Sequence, residues 1–95
     1  MDIQPADLII AVAGRDKDKY LMVLNKLDEN YVLICDGRGR TYEKPKKKKI
    51  KHIKSLGYSL DRIKERMETN SKISNSDIRK AIKAALADLG EDVKE

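Results

Sequence analysis

The fold is decided by residues 8–37, which read LIIAVAGRDKDKYLMVLNKLDENYVLICDG. Three apolar runs lie within this stretch, with polar turn residues between them: Leu8–Ala13, Tyr20–Leu24 and Tyr31–Cys35. Short runs rich in Ile, Val, Leu and Tyr and bounded by turn residues are typical of buried strands. Because successive runs start eleven or twelve residues apart, the pattern predicts an antiparallel meander.

Two weaker strand segments follow the meander. The turn dipeptide Asp36-Gly37 leads to Arg40–Glu43, which is predicted as a fourth, more polar strand. A fifth strand is indicated by Ile50, His52 and Ile53. Five short strands in about fifty residues predict a small barrel, since closure removes exposed sheet edges.

The second half of the chain changes to helical spacing. A first helix is predicted from Leu60, Ile63 and Met67, with Ser59 as its N-cap. Tyr58 and Ile63 would then form a hydrophobic staple.

A second helix is marked more clearly by its ends. Ser74 is predicted as its N-cap, and Asp77 suits its positive N-terminal end. Ile73 can form a staple with Ile78, and Gly90 supplies the stop. The apolar face of this helix consists of Ile78, Ala81, Ile82, Ala85, Leu86 and Leu89.

These segments predict one α+β domain spanning residues 1–95. We expect a barrel over 3–54, a helical extension over 55–90 and a frayed tail at Glu91–Glu95. The chain contains no Phe and no Trp, so its core is expected to be aliphatic.

The positive charge is concentrated in one segment. The net charge is +5, yet residues 1–43 carry −2 and residues 55–95 carry none. Residues 44–54 hold seven lysines and no acid. This lysine strip consists of Lys44, Lys46, Lys47, Lys48, Lys49, Lys51 and Lys54. Because Pro45 cannot donate to a sheet ladder, Lys46–Lys49 is predicted to lie in a loop or on a sheet edge.

The lysine strip predicts nucleic-acid binding, because each lysine that pairs with a phosphate releases condensed counterions. Lysine is a point charge, so the prediction concerns affinity and not base reading. The alternative is a solvated charge run that only aids solubility.

Two loops and one aromatic residue could extend this surface. The loop between the first and second apolar runs, the first loop, carries Arg15, Lys17 and Lys19. The loop after the third run, the third loop, carries Arg38 and Arg40. Their positive charge is reduced by Asp16, Asp18 and Asp36. Tyr42 follows the third loop and is the aromatic residue best placed to stack on a base.

The sequence contains few residues that could form a catalytic or metal-binding site. His52, the single histidine, lies in the lysine strip and is interpreted as a surface residue. Cys35, the single cysteine, is interpreted as a buried strand residue in a reducing compartment. Zinc-cluster and calcium-loop spacings are absent, and Gly37-Arg38-Gly39 lacks the residues of a phosphate loop. We expect no enzyme activity, cofactor or small-molecule substrate.

The sequence also predicts a cytoplasmic protein without a membrane partner. The N-terminus shows no secretory pattern, and no apolar stretch approaches the roughly 20 residues that span a bilayer.

Residues 9–37 resemble a KOW motif. The matching pattern is an apolar run, Gly14-Arg15-Asp16-Lys17-x-Lys19, a second run, Asp28, a third run and Asp36-Gly37. The chain is similar to the L14e-type family of large-subunit ribosomal proteins of archaea and eukaryotes, and to small bacterial KOW-domain RNA-binding proteins. Glu43–Lys49, Lys51-His52 and the helix at Ser74–Lys83 continue the resemblance.

The resemblance implies an SH3-like barrel of the KOW type whose loops and lysine strip contact ribosomal or other structured RNA, beside ribosomal proteins. Gly14 would be the glycine of the motif, where the chain turns tightly out of the first strand. A second glycine is usual where this chain has Asp18. We therefore expect a differently shaped first loop, in which an acid opposes phosphate.

Two alternatives stay open at this point. The one-sided helices could dock on a protein of the translation or transcription machinery. DNA binding through Arg79, Lys80 and Lys83 of the second helix is the other, and it is opposed by Asp77 and Asp88 on the same side.

Overall fold

The computed structural model describes residues 2–90, and the predicted tail Glu91–Glu95 lies outside them. Five strands and two helices follow one another: β1 Asp7–Ala11, β2 Tyr20–Lys26, β3 Tyr31–Cys35, β4 Lys46–Lys49, a 3₁₀ turn Ile50–His52, β5 Ile53–Ser59, α1 Asp61–Glu68 and α2 Asn75–Asp88. The strands form one antiparallel sheet in the order β4-β3-β2-β1-β5. The prediction of an α+β fold with two C-terminal helices is confirmed.

The fourth strand is not where the sequence analysis put it. Arg40–Glu43 lies in the β3–β4 loop, and β4 is the lysine run itself, on a sheet edge. The Asp36 carboxylate accepts hydrogen bonds from the backbone N–H groups of Arg38 and Arg40, at 2.9 and 3.0 Å. Such local side-chain bonds compete with strand pairing, so the chain bends where a strand was predicted.

The start of the first helix is also different. Ser59 ends β5, where it pairs with Asp7, and Leu60 takes the N-cap position of α1 without a side-chain hydrogen bond. The fifth strand, predicted from Ile50, His52 and Ile53, begins only at Ile53, because Ile50–His52 forms a 3₁₀ turn. It ends at Ser59, five residues beyond the predicted barrel limit at 54. The predicted cap at Ser59 is therefore wrong by one residue. Tyr58 still packs against the cluster that contains Ile63, and its hydroxyl donates to Asp88 at 2.8 Å.

The second helix begins and ends as predicted. The Ser74 hydroxyl accepts from the Asp77 N–H at 3.1 Å, and the Asp77 carboxylate accepts from the Ser74 N–H at 3.0 Å. Ile73 and Ile78 are buried in the same cluster. Gly90 follows the helix with a φ of +73°. The prediction fails only for Leu89, which is exposed.

The sheet separates two aliphatic cores. The inner one contains Ile9, Leu21, Val23, Val32 and Ile34. On the outer face, Leu8, Met22 and Cys35 pack against apolar side chains of both helices, among them Ile63, Ile78 and Leu86. Cys35 is fully buried, as predicted, and burial together with Asp36 and Glu43 raises the pKa of its thiol to about 12. Among residues 2–90, no helix is long and apolar enough to cross a bilayer.

Candidate nucleic-acid interface

β4 consists of four consecutive lysines, so only its register with β3 distinguishes them. Lys48 pairs with the buried Val32, whereas Lys47 pairs with Leu33 and Lys49 with Tyr31. Because the side chains of a strand alternate between the two faces of the sheet, Lys48 points toward the inner core. Lys47 and Lys49 point away from that core, that is, outward. Lys48 is accordingly 6% exposed, and the two outward lysines are exposed.

Lys48 ties β4 to the β1–β2 loop. Its ammonium donates to the Ala13 carbonyl at 2.8 Å. The neighbouring Gly14 has a φ of +83°, and a Cβ there would lie 2.7 Å from the Lys48 Nζ. Glycine suits this position, because a side chain would strain the left-handed backbone and displace the Lys48 ammonium. The charge of Lys48 is thus used within the fold. Five other lysines of the strip are exposed: Lys44, Lys47, Lys49, Lys51 and Lys54.

Asp16 joins the first loop to the third. It is 2% exposed, and Arg40 donates to its carboxylate from Nε at 3.3 Å and from Nη2 at 3.2 Å. Lys19 lies 3.6 Å from the same carboxylate. Burial by itself raises the pKa of Asp16, but the hydrogen bond and charge of Arg40, with the charges of Lys19 and Lys48, outweigh it and hold the pKa below its ordinary value. Asp16 therefore stays ionised, and its negative charge is balanced within the fold by Arg40 and Lys19.

Removing this carboxylate should weaken the fold and flatten its response to acid. A carboxyl whose pKa is lowered by folding stabilises the protein above its unfolded-state pKa, and that contribution is lost as pH falls through the folded-state pKa. Asp16→Asn is expected to lower the free energy of unfolding by about 2 kcal/mol at pH 7, since Arg40 is partly exposed.

Urea denaturation at pH 7 and at steps below about pH 5 measures both effects. Asp18→Asn is the matched control, because Asp18 is exposed in the same loop. An Asp16→Asn protein that loses stability in acid as steeply as the wild type would contradict this role.

Asp18 adopts the backbone conformation that favours glycine. Its φ is +71°, and its N–H donates to the Ala11 carbonyl at 2.8 Å. The chain thus makes a left-handed turn at the position where the KOW resemblance expects glycine, and Asp accepts that conformation better than most residues. The side chain is exposed, so its charge still opposes a phosphate at this loop.

The contacts of Lys48 and Asp16 bring the first loop, the third loop and β4 together. Around them, the exposed basic side chains are Arg15, Lys17, Lys19, Arg38, Lys44, Lys47, Lys49, Lys51 and Lys54. Lys46 and Arg40 are half-buried. The contacts of Lys48 and Asp16 thus join two basic loops from separate parts of the chain to the lysine strand.

The aromatic residue at this surface is Tyr31, which the sequence analysis did not select. The Lys47 ammonium lies 4.4 Å from the centre of its ring, within the range of a cation–π contact. The predicted residue, Tyr42, packs against the helix-side core, and its N–H donates to the Asn75 side chain at 2.7 Å. Only the register of β3 with β4 could have identified Tyr31.

One of the three basic residues proposed for DNA binding, Arg79, has a structural contact. Arg79 donates to the Gly37 carbonyl at 2.6 Å, and Asp77 pairs with Arg66 at 2.7 Å. Arg79 thus fastens α2 to the β3–β4 loop. His52 is half-buried in the 3₁₀ turn, and within residues 2–90 no group of three or more His, Cys, Asp or Glu side chains is placed to hold a metal ion.

The fold and this surface define a small α+β domain with a basic sheet edge. Over 59 residues the chain is 30% identical to the large ribosomal subunit protein eL14 of Staphylothermus marinus. The match covers 62% of this chain and 62% of that protein, so the chain spans less than two thirds of its relative. No family model matches the chain. The similarity supports a relationship with L14e-like ribosomal proteins.

Proposed function

We propose that this protein is a non-catalytic, cytoplasmic RNA-binding protein that associates with the ribosome. The observation that carries the proposal is an edge strand of consecutive lysines whose outward members are exposed, with two basic loops packed beside it. The relative's name, a large ribosomal subunit protein, supports the choice of ribosomal RNA and ribosomal proteins as partners. The strand order and the 3₁₀ turn between the two edge strands support an SH3-like barrel of the KOW type.

Recognition would depend on charge and shape. Outward lysines two residues apart on β4 are separated by about 6.6 Å along the strand, so they can meet successive phosphates of one strand. Lysines supply attraction without selecting a base. The loops held by Asp16 and Lys48 would fix the outline of the surface, and structured RNA is recognised largely by such fit.

RNA binding with a steep salt dependence is the expected result. If four to six phosphates are contacted, the slope of log affinity against log salt should be about −3 to −5. Fluorescence anisotropy with ribosomal RNA fragments across a salt series measures this slope, and a duplex DNA of equal length is the control for RNA preference. A flat salt response, or equal binding to DNA, would contradict the proposal and favour a protein partner.

A further inference from the structure

A shallow pocket lies where the β2–β3 turn meets the 3₁₀ turn, next to the exposed lysines. Its volume is about 330 Å³, at the lower end of the range for small-molecule pockets, which suits one flat group. The pocket is lined by Glu29, Asn30, Tyr31, Lys49, Ile50 and Lys51. It thus combines an aromatic ring, a carboxamide, a carboxylate and two ammonium groups.

The backbone around this pocket is held in place before any ligand arrives. The Asp28 carboxylate accepts from the N–H groups of Asn30 and Tyr31, at 2.7 and 2.9 Å. The Ile50 N–H donates to the Asn30 carbonyl at 2.8 Å. These bonds connect the turn before β3 to the turn after β4. A ligand would therefore lose little affinity to ordering the backbone of these two turns.

The mixture of charges indicates what the pocket would accept. A site for phosphate alone gains nothing from the Glu29 carboxylate, whereas the edge of a nucleobase offers amino groups that a carboxylate can accept. Tyr31 offers a ring for stacking, the usual way in which proteins hold unpaired bases. Lys49 and Lys51 line the pocket, where their ammonium groups can pair with neighbouring phosphates. The Lys47 ammonium lies over one face of the Tyr31 ring at 4.4 Å, so a base would stack on the opposite face or displace that ammonium.

We propose that this pocket binds one unpaired base of the RNA, stacked on Tyr31 with its edge toward Asn30 and Glu29. The inference rests on the proposed RNA-binding function and adds to it a substrate class: RNA with an unpaired nucleotide beside the phosphates that the lysine strip holds. Charge binding alone would not distinguish a paired strand from an unpaired one.

Tyr31→Leu should separate stacking from charge. The probes are a mixed-sequence single-stranded RNA and a fully paired RNA of equal length, each titrated across the same salt series. For the single strand, Tyr31→Leu is expected to weaken binding about 5- to 100-fold, the range for one base stacked on an aromatic ring. The duplex affinity should change less than about twofold, and the salt slope should stay constant because no charge is altered. Tyr31→Phe, which keeps the ring, is the matched control.

A second variant gives a direct signal that does not depend on the behaviour of Tyr31→Leu. The chain contains no tryptophan, so Tyr31→Trp introduces a single reporter whose fluorescence is quenched when a base stacks on it. Quenching by the single strand but not by the duplex is the expected result.

The outcomes separate this proposal from the function on which it depends. Equal loss for both RNAs, or no quenching, would overturn the base pocket and leave salt-dependent RNA binding intact. Failure of the wild type to bind either RNA would overturn both proposals. Quenching by an acidic peptide such as poly-glutamate, with none by RNA, would assign the pocket to a protein partner and also overturn it.

Discussion

Replacing Lys47, Lys49 and Lys51 together by glutamine is expected to weaken RNA binding about a hundredfold near physiological salt. Each phosphate contact that releases its counterion is worth on the order of fivefold in affinity at that salt concentration, and three contacts multiply. All three lysines are exposed on the same part of the surface. Lys48 is left unchanged because its ammonium is bonded within the fold.

The salt dependence should change together with the affinity. Loss of three contacts should make the log–log slope shallower by about 2 to 3. The matched control replaces Lys64, Lys72 and Lys80, which are exposed on the helical side, and alters net charge equally. If the control loses as much affinity as the strip variant, binding depends on overall charge and the strip is not the contact surface.

The elements that the sequence predicted correctly are those specified by neighbouring residues. Tyr31–Cys35 is a continuous apolar run, and the structure begins and ends β3 at those residues. The capping box of Ser74 and Asp77 is likewise a local pattern, and both of its hydrogen bonds are present. In such segments turn chemistry, periodicity and capping agree with the tertiary packing, which is the condition under which sequence patterns are dependable.

The roles of individual charged residues could not be predicted in the same way. Nothing in a run of four lysines distinguishes Lys48 from Lys47, because the difference arises only when pairing with β3 turns one side chain inward. From the sequence, Asp16 is expected only to lower the positive charge of the first loop. Its partner Arg40 is 24 residues away in sequence. Long-range pairs of this kind depend on the arrangement of two loops and leave no local signal.

The same contacts limit how the lysine strip can be tested. Lys48 and Asp16 hold together the loops that would present the basic surface, so neutralising the whole run Lys46–Lys49 would disturb the fold and the interface at once. A loss of binding in that variant would have two explanations. Substituting only outward lysines removes the explanation that the fold was disturbed. The register of β4 with β3 identifies these lysines and so determines which variant to make.

Gly37→Ala is expected to cause the largest loss of stability among the single changes considered. Gly37 is buried with a φ of +77°, and a Cβ there would overlap the backbone carbonyl oxygen of Asn75 in the first turn of α2. Arg79 also donates to the Gly37 carbonyl at 2.6 Å. This glycine is where the β3–β4 loop touches the helix, so an added methyl group would push α2 away from the sheet.

Two costs add at this position. A left-handed backbone conformation costs a residue with a Cβ about 1–2 kcal/mol, and overpacking against backbone costs about 1–3 kcal/mol more. We expect Gly37→Ala to lower the free energy of unfolding by about 3 kcal/mol and the Tm by roughly 12–24 °C, measured by urea and thermal denaturation. Gly39→Ala is the matched control, because a Cβ at Gly39 meets no atom within 4 Å, and its effect should stay within about 0.5 kcal/mol. Equal stability of the two variants would contradict the close packing of α2 on the β3–β4 loop at Gly37.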